Sequence, residues 1–172
     1  MSVNVVLVHG FMGSMKSTWG RFSTLLNEDP EINCDVAQYG YSTLYWPVVG
    51  KSPSIHNLAE GLLTEIESRY DIYNKEIVLV GHSLGGLVIR RMLLNLHLKK
   101  IKHNIRKVCF FAVPQDGSGL ANLPSLIAVR NNKLKVLCKD SSYLEEMNDA
   151  WAYAELNDQY DILSVIGGKD VI

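Results

Sequence analysis

The sequence predicts a doubly wound α/β fold, in which helices cover both faces of a mostly parallel sheet. Short apolar runs typical of buried strands alternate along the chain with segments whose apolar residues recur at helical spacing. Glycine-rich turns directly follow two of those runs, as expected where parallel strands lead into helices. Five strands are predicted in this way, at residues 3–8, 35–39, 76–80, 108–113 and 162–166.

Helical segments are predicted between these strands. Residues 3–8 are apolar except for Asn4 and show no regular alternation, which indicates a strand buried on both faces. The stretch that follows predicts one apolar helical face, made of Trp19, Phe22, Leu25 and Leu26. Ser54 is the candidate N-cap of the next helix, whose apolar positions are 55, 58, 59, 62, 63 and 66. Further helices are predicted over 84–98 and 143–154, and long loops over 42–53 and 114–125.

Composition and charge exclude several classes of function. The 172 residues are 47% hydrophobic and 20% charged, as in an ordinary globular domain, and the formal net charge is −1. No basic run extends beyond Lys99-Lys100, so neither nucleic acid nor an anionic membrane is a predicted partner. No apolar run approaches the roughly 20 residues that a membrane span needs, and no signal peptide is predicted.

Cysteine usage and the absence of ligand motifs narrow the chemistry. Cys34, Cys109 and Cys138 are scattered and odd in number, which favours free thiols in a reducing compartment and predicts a cytoplasmic protein. Zinc-ligand spacing and phosphate-binding loops are missing from the sequence, so no metal or organic cofactor is predicted.

The strongest motif is the stretch GHSLGG at residues 81–86. It lies between a predicted strand and a predicted helix, the context of a G-x-S-x-G nucleophile elbow. A serine on such a turn has its hydroxyl lifted clear of the sheet, while glycines on either side let the helix approach the strand. The sequence therefore predicts that Ser83 is a nucleophile and that the Leu84 N–H, at a helix N-terminus, stabilises an oxyanion.

A second glycine-rich loop fits the same chemistry. The sequence HGFMGS at residues 9–14 follows the first predicted strand. In hydrolases with this design, the second oxyanion donor comes from a loop after an early strand. The Phe11 N–H is therefore the predicted second donor.

These motifs together resemble the α/β-hydrolase superfamily, and within it the lipase-like serine esterases related to GPI-inositol deacylases. The resemblance extends over nearly the whole chain and also includes Thr18-Trp19, Tyr39-Gly40-Tyr41, Ala112–Ser118 and Val165–Ile172. It implies a sheet of order 2-1-3-4-5, with the topological switch point between strands 1 and 3. Ligands of open α/β sheets bind at such a point, where the two predicted loops would meet.

The resemblance also implies a Ser, acid, His triad. Asp170, in the turn after the last predicted strand, is the expected acid, and Asp116, after the fourth, is the rival. No histidine follows Asp170. Residues 1–172 are therefore expected to be a single α/β-hydrolase domain that lacks its C-terminal part and is close to inactive alone. The alternative is a hydrolase-like binding module without a complete triad.

The implied activity is cleavage of a carboxylic ester, with a small-molecule or lipid ester as substrate. The same machinery would serve an amidase, a thioesterase or an acyltransferase. An acyl pocket is expected from apolar side chains near the two loops, namely Phe11, Met12, Leu44, Tyr45 and Trp46.

Overall fold

A computed structural model describes residues 2–11, 13–41, 53–115 and 142–166. Its strands are β1 (Val3–Val8), β2 (Cys34–Tyr39), β3 (Ile77–His82), β4 (Ile105–Phe111) and β5 (Asp161–Val165). Its helices are α1 (Met15–Trp19), α2 (Phe22–Glu28), α3 (Ile55–Arg69), α4 (Leu84–Leu98), α5 (Ser142–Tyr153) and α6 (Leu156–Gln159). None of the described helices has the length and apolar character needed to cross a bilayer.

The five strands form one parallel sheet in the order β2-β1-β3-β4-β5. The predicted fold class, strand number and strand order are all confirmed. The chain runs outward from β1 to β2, then crosses back to place β3 on the other side of β1. The carboxyl ends of β1 and β3 therefore adjoin at the switch point, and the loops that leave them share one crevice.

Three predicted strands end at the wrong residue: β5 ends at Val165, one residue early, and the ends of β3 and β4 are each wrong by two residues. Strand β3 continues past Val80 through Gly81 and His82, because both residues still pair with β4. Strand β4 ends at Phe111, two residues early, because Ala112 turns out of the strand with φ 49°.

Strand β4 also begins earlier than predicted. It starts at Ile105, and the polar pair Arg106 and Lys107 inside it hid this beginning from an apolar-run analysis. Lys107 is half exposed and its Nζ lies 2.7 Å from a carboxylate oxygen of Asp161 at the start of β5. Charged residues are tolerated there because that end of the strand faces water.

The apolar face predicted after Thr18 is divided between two short helices. Gly20, with φ 49°, ends α1, and α2 begins at Phe22. The Trp19 and Phe22 rings nevertheless remain together, with centroids 5.8 Å apart, and pack on the sheet beside Phe111. The periodicity correctly placed Trp19, Phe22 and Leu26 against the sheet, but Leu25 is 53% exposed and the break in the backbone was not predicted.

Helices α3 and α4 build the core on the opposite face of the sheet. Ser54 caps α3 as predicted, since its side chain accepts a hydrogen bond from the Asn57 N–H at 3.1 Å. Helix α4 is buried over most of its surface and contacts β3, α3 and α5. A helix held on several sides has little freedom to tilt, so its first turn has a fixed position relative to the strand ends.

The first turn of α4 touches the backbone of β1. A Cβ atom on Gly85 would lie 2.6 Å from the His9 carbonyl oxygen, and the Val8 carbonyl oxygen would be closer still. A Cβ atom on Gly86 would instead meet the side chain of Val113. Only glycine allows the helix to come this close to the strand.

We predict that Gly85→Ala destabilises the protein more than Gly86→Ala. Overpacking against backbone cannot relax easily, so Gly85→Ala should cost about 3 kcal/mol. In Gly86→Ala the Val113 side chain can move, and alanine gains up to about 1 kcal/mol of helix propensity over glycine, so the net loss should be about 1 kcal/mol. Urea unfolding of both variants measures the difference, and equal losses would contradict the backbone contact.

Candidate active site

Ser83 occupies the turn between β3 and α4. Its backbone has φ 52° and ψ −121°, and it is the N-cap of α4 without a capping hydrogen bond from its side chain. A non-glycine residue in so sparsely populated a region costs about 1–3 kcal/mol, and such residues concentrate at functional sites. The strained turn that the motif predicted is therefore present.

Hydrogen bonds hold this turn from the neighbouring strand. The Ser83 N–H donates to the Phe111 carbonyl at 3.0 Å, and the Ser83 carbonyl accepts from the Gly86 N–H at 3.0 Å. The Ala112 N–H in turn donates to the Val165 carbonyl at 2.9 Å. The ends of β3, β4 and β5 are thus tied together at one edge of the sheet.

The glycine-rich loop after β1 lies directly against Ser83. A Cβ atom on Gly10 would be 3.0 Å from the Ser83 Cβ and 3.0 Å from His82 Nδ1. The two motifs, which begin 72 residues apart along the chain, are therefore in contact. A side chain at residue 10 would push the loop away from the serine.

His9 is buried, with 1% of its surface exposed, and its ring has a partner at each nitrogen. Nδ1 lies 2.9 Å from the Gly10 carbonyl oxygen, and Nε2 accepts a hydrogen bond from the Tyr41 N–H at 3.2 Å. Because Nε2 is an acceptor, the proton of the neutral ring is on Nδ1, which donates to Gly10. Burial lowers the His9 pKa, which keeps this neutral form.

The other four histidines lie in different surroundings. The His82 ring packs edge-on against Trp19, with centroids 6.4 Å apart. Burial lowers the pKa of His82, and the neighbouring His9 lowers it further by a smaller amount. His103 is at the opposite end of the strands, where it stacks on Tyr160, and burial lowers its pKa too. The remaining two, His56 and His97, are exposed on helices α3 and α4.

Only part of the predicted site lies within the described residues. Ser83, Leu84 and the Gly10–Phe11 segment come together, with Leu84 buried as the first residue of α4 and Phe11 packed against the core. The two candidate acids and every predicted pocket residue except Phe11 fall outside the described residues; these are Asp170, Asp116, Met12, Leu44, Tyr45 and Trp46. Their roles remain predictions.

A cavity of about 320 Å³ opens at the same edge of the sheet, beyond the ends of β4 and β5. Its described lining is mainly apolar and consists of Phe110, Val113, Gln115, Ser164, Val165 and Ile166. Val113 also packs on Gly86 in the first turn of α4, so the cavity adjoins the serine turn. Within the described ranges, no group of three His, Cys, Asp or Glu side chains is placed to hold a metal ion.

A buried arginine that the sequence did not bring to notice is linked through Asn148 to Gln115 in the cavity lining. Arg90, with 4% of its surface exposed, stacks over the Trp151 ring at 4.8 Å and donates to Asn148 Oδ1 at 2.8 Å. Burial lowers its pKa to about 10. The Asn148 amide donates in turn to the Gln115 carbonyl at 2.9 Å, which fixes the segment after β4. An arginine within the apolar helix 84–98 was the available signal, since a charge there needs buried polar partners.

The chain matches a known protein family and individual known proteins. Residues 4–115 match the family described as "Putative serine esterase (DUF676)". Protein SERAC1 of Homo sapiens is 24% identical over 206 residues, which cover 96% of this chain, and that of Danio rerio is 22% identical over 200 residues, which cover 95%. This chain spans 30% of the length of either relative.

Solved structures of α/β-hydrolase enzymes share the fold. Phospholipase PlaB from Legionella pneumophila has a TM-score of 0.72 and 18% identity, over 95% of this chain and 37% of that one. The mature lipase BlEst2 from Bacillus licheniformis has a TM-score of 0.69 and 17% identity, over 97% of this chain and 68% of that one. At this level of identity the likeness establishes the fold alone.

The buried histidines predict a loss of stability below neutral pH. His9, His82 and His103 have lowered pKa values in the folded state, whereas unfolded histidine has a pKa of about 6.5. The unfolded state therefore binds more protons, and stability present above about pH 6.5 is lost as the pH falls through the folded pKa values. Urea unfolding between pH 7.5 and 5.5 should show the loss.

A pair of variants assigns part of this loss to His9. His9→Gln should flatten the profile by up to about 1.4 kcal/mol per pH unit, the limit for one proton, whatever its effect on stability at pH 7.5. His97→Gln, at an exposed position, is the matched control and should leave the slope as it is. Parallel profiles for His9→Gln and the wild type would contradict the neutral, buried state of His9.

Proposed function

Because this chain belongs to the DUF676 serine esterase family, we propose that it hydrolyses carboxylic esters with Ser83 Oγ as the nucleophile. The observation that carries the proposal is the strained Ser83 turn, which lies in contact with the Gly10 loop at the switch point of the sheet. Strain of this kind persists only where the surrounding structure enforces it. Ser83 keeps only 8% of its surface exposed, and a nucleophile held between two sets of backbone donors is what acyl transfer requires.

The oxyanion donors are the backbone N–H groups of Leu84 and Phe11. Leu84 opens α4, where the first four N–H groups have no partner within the helix and the helix dipole favours negative charge. Phe11 follows Gly10, which contacts Ser83. Donors of this kind stabilise the tetrahedral intermediate more than the ester, and removing one typically costs 10²–10³ in kcat.

The proposed reaction needs an imidazole that is oriented by a carboxylate. We propose that this carboxylate belongs to Asp170. The imidazole takes the proton of Ser83 as Oγ bonds to the acyl carbon, and then gives it to the departing alkoxide. In the second half of the reaction the imidazole takes a proton from water as the water oxygen bonds to the acyl carbon. It then gives that proton to Ser83 Oγ, which releases the carboxylic acid and restores the serine. His9 is unsuited to this role because both of its ring nitrogens are engaged. We therefore propose that the imidazole comes from outside residues 1–172.

We propose that the acyl group of the substrate is apolar. The cavity beyond β4 and β5 adjoins the serine turn and is lined mainly by apolar side chains, which favours burial of hydrocarbon at about 0.8 kcal/mol per CH₂. Two of the similar solved structures are a lipase and a phospholipase. A lipid ester or a small apolar ester is the substrate class that fits best.

Hydrolysis of p-nitrophenyl esters tests the assignment of the nucleophile and the base. Residues 1–172 should hydrolyse them only slowly, because losing the histidine of a serine hydrolase costs about 10⁶ in kcat. A longer polypeptide that adds a histidine C-terminal to Asp170 should be active, and a fluorophosphonate should label its Ser83. Ser83→Ala should abolish both signals, whereas the exposed control Ser68→Ala should change neither.

Two outcomes would contradict the proposal. Full turnover by residues 1–172 would mean that one of the five histidines in the chain is the base, and His82→Gln would then be the first variant to assay. No Ser83-dependent activity in the longer polypeptide, with its histidine intact, would favour a binding module over an enzyme.

A further inference from the structure

Tyr41 contacts His9 through three separate interactions. Its N–H donates to His9 Nε2 at 3.2 Å, and its phenol donates to the His9 carbonyl at 2.5 Å. The two rings stack with centroids 4.3 Å apart and planes 14° from parallel. Backbone, hydroxyl and ring of one residue therefore all act on the same histidine, which immediately precedes the Gly10 loop.

These contacts fix the ring state of His9. The N–H of Tyr41 needs an acceptor, so Nε2 must be unprotonated and the proton must be on Nδ1. The Tyr41 phenol remains a donor because burial, with a smaller contribution from Tyr39, raises its pKa. The described titratable groups that act on the His9 ring are Tyr41 and, across Gly10, His82. Neither carries a charge at neutral pH that would favour a second proton on His9.

The proton on Nδ1 sets the direction of the next peptide unit. It is donated to the Gly10 carbonyl oxygen at 2.9 Å, and the Gly13 N–H donates to the same oxygen at 3.2 Å. The Gly10 carbonyl and the Phe11 N–H belong to one planar peptide, and in a trans peptide these two groups point in opposite directions. Because the Gly10 carbonyl oxygen is held toward His9, the Phe11 N–H points away from His9.

We propose that Tyr41 is a positioning residue that aims the Phe11 N–H at the oxyanion. It acts through His9, whose tautomer it selects and whose carbonyl it holds. The proposal rests on the proposed function, because an oxyanion must form at Ser83 for the aim of this N–H to matter. Tyr41 lies 42 residues before Ser83 in the sequence and belongs to neither glycine-rich motif.

The tautomer of His9 is measured on residues 1–172 without any assay of activity. In a ¹⁵N–¹H spectrum of the histidine side chains at pH 7.5, His9 should carry its proton on Nδ1, and His9→Gln assigns the signal. A proton on Nε2 would overturn the positioning role, since the Tyr41 N–H could not then donate to that nitrogen. This result does not depend on whether the chain is an enzyme.

Kinetics of Tyr41→Phe test the consequence for catalysis. This variant keeps the ring and the N–H but loses the phenol that holds the His9 carbonyl. In the form of the protein that shows Ser83-dependent hydrolysis, kcat should fall about tenfold with KM unchanged, as expected for one hydrogen bond felt mainly in the transition state. Tyr41→Leu, which also loses the stacking, should approach the 10² loss of an oxyanion donor.

Tyr39→Phe is the matched control. It removes a phenol at the same sheet edge, one that donates to the Leu58 carbonyl at 3.2 Å, and should leave kcat and KM unchanged. If Tyr41→Phe leaves kcat unchanged, or raises KM alone, the positioning role is wrong while the proposed function stands. If no form of the protein shows Ser83-dependent hydrolysis, the proposed function fails and the catalytic role of Tyr41 fails with it, whatever the tautomer of His9.

Discussion

The close approach of helix α4 to the end of strand β1 determines the rest of the site. At Gly85 the helix backbone touches the carbonyl groups of Val8 and His9, with no room for a Cβ atom between them. This contact sets the distance from the serine turn to the loop after β1. Since α4 is also packed against α3, α5 and the sheet, neither side of the crevice can move alone.

The same contact explains why strain at Ser83 is tolerated. Hydrogen bonds from the Ser83 N–H to Phe111 and from the Gly86 N–H to the Ser83 carbonyl hold the turn at both ends. The burial of α4 supplies far more free energy than the turn loses, because each large apolar side chain buried contributes about 1.5–3 kcal/mol. The fold can therefore hold a serine in a conformation that its own backbone disfavours.

The sequence predicted the fold well because its signals are local. Short, mostly apolar runs identified the five strands, and the two glycine-rich motifs identified the loops at the carboxyl ends of β1 and β3. The predicted ends of strands and helices were less accurate where polar residues or a glycine interrupt the apolar pattern. Arg106 and Lys107 concealed the beginning of β4, and Gly20 divided the first helical region. In both places the backbone follows tertiary contacts that periodicity does not encode.

Residues that act on the site from a distance could not be predicted in this way. Tyr41 reaches His9 across 32 residues, and Asn148 reaches Gln115 across 33. Nothing in the composition of either segment indicates its partner, because the contact exists only once the sheet order is known. Arg90 was the more accessible signal, as a buried cation in an apolar helix requires polar neighbours.

We propose that Ser83 and the backbone donors of Leu84 and Phe11 form one acyl-transfer site. The most direct measurement is a crystal structure of the protein after reaction with an alkylphosphonate ester, whose phosphoryl oxygen occupies the place of the oxyanion. We expect a covalent bond to Ser83 Oγ and a phosphoryl oxygen within about 2.7–3.1 Å of both N–H nitrogens. An adduct on another residue, or a phosphoryl oxygen turned toward solvent, would contradict it.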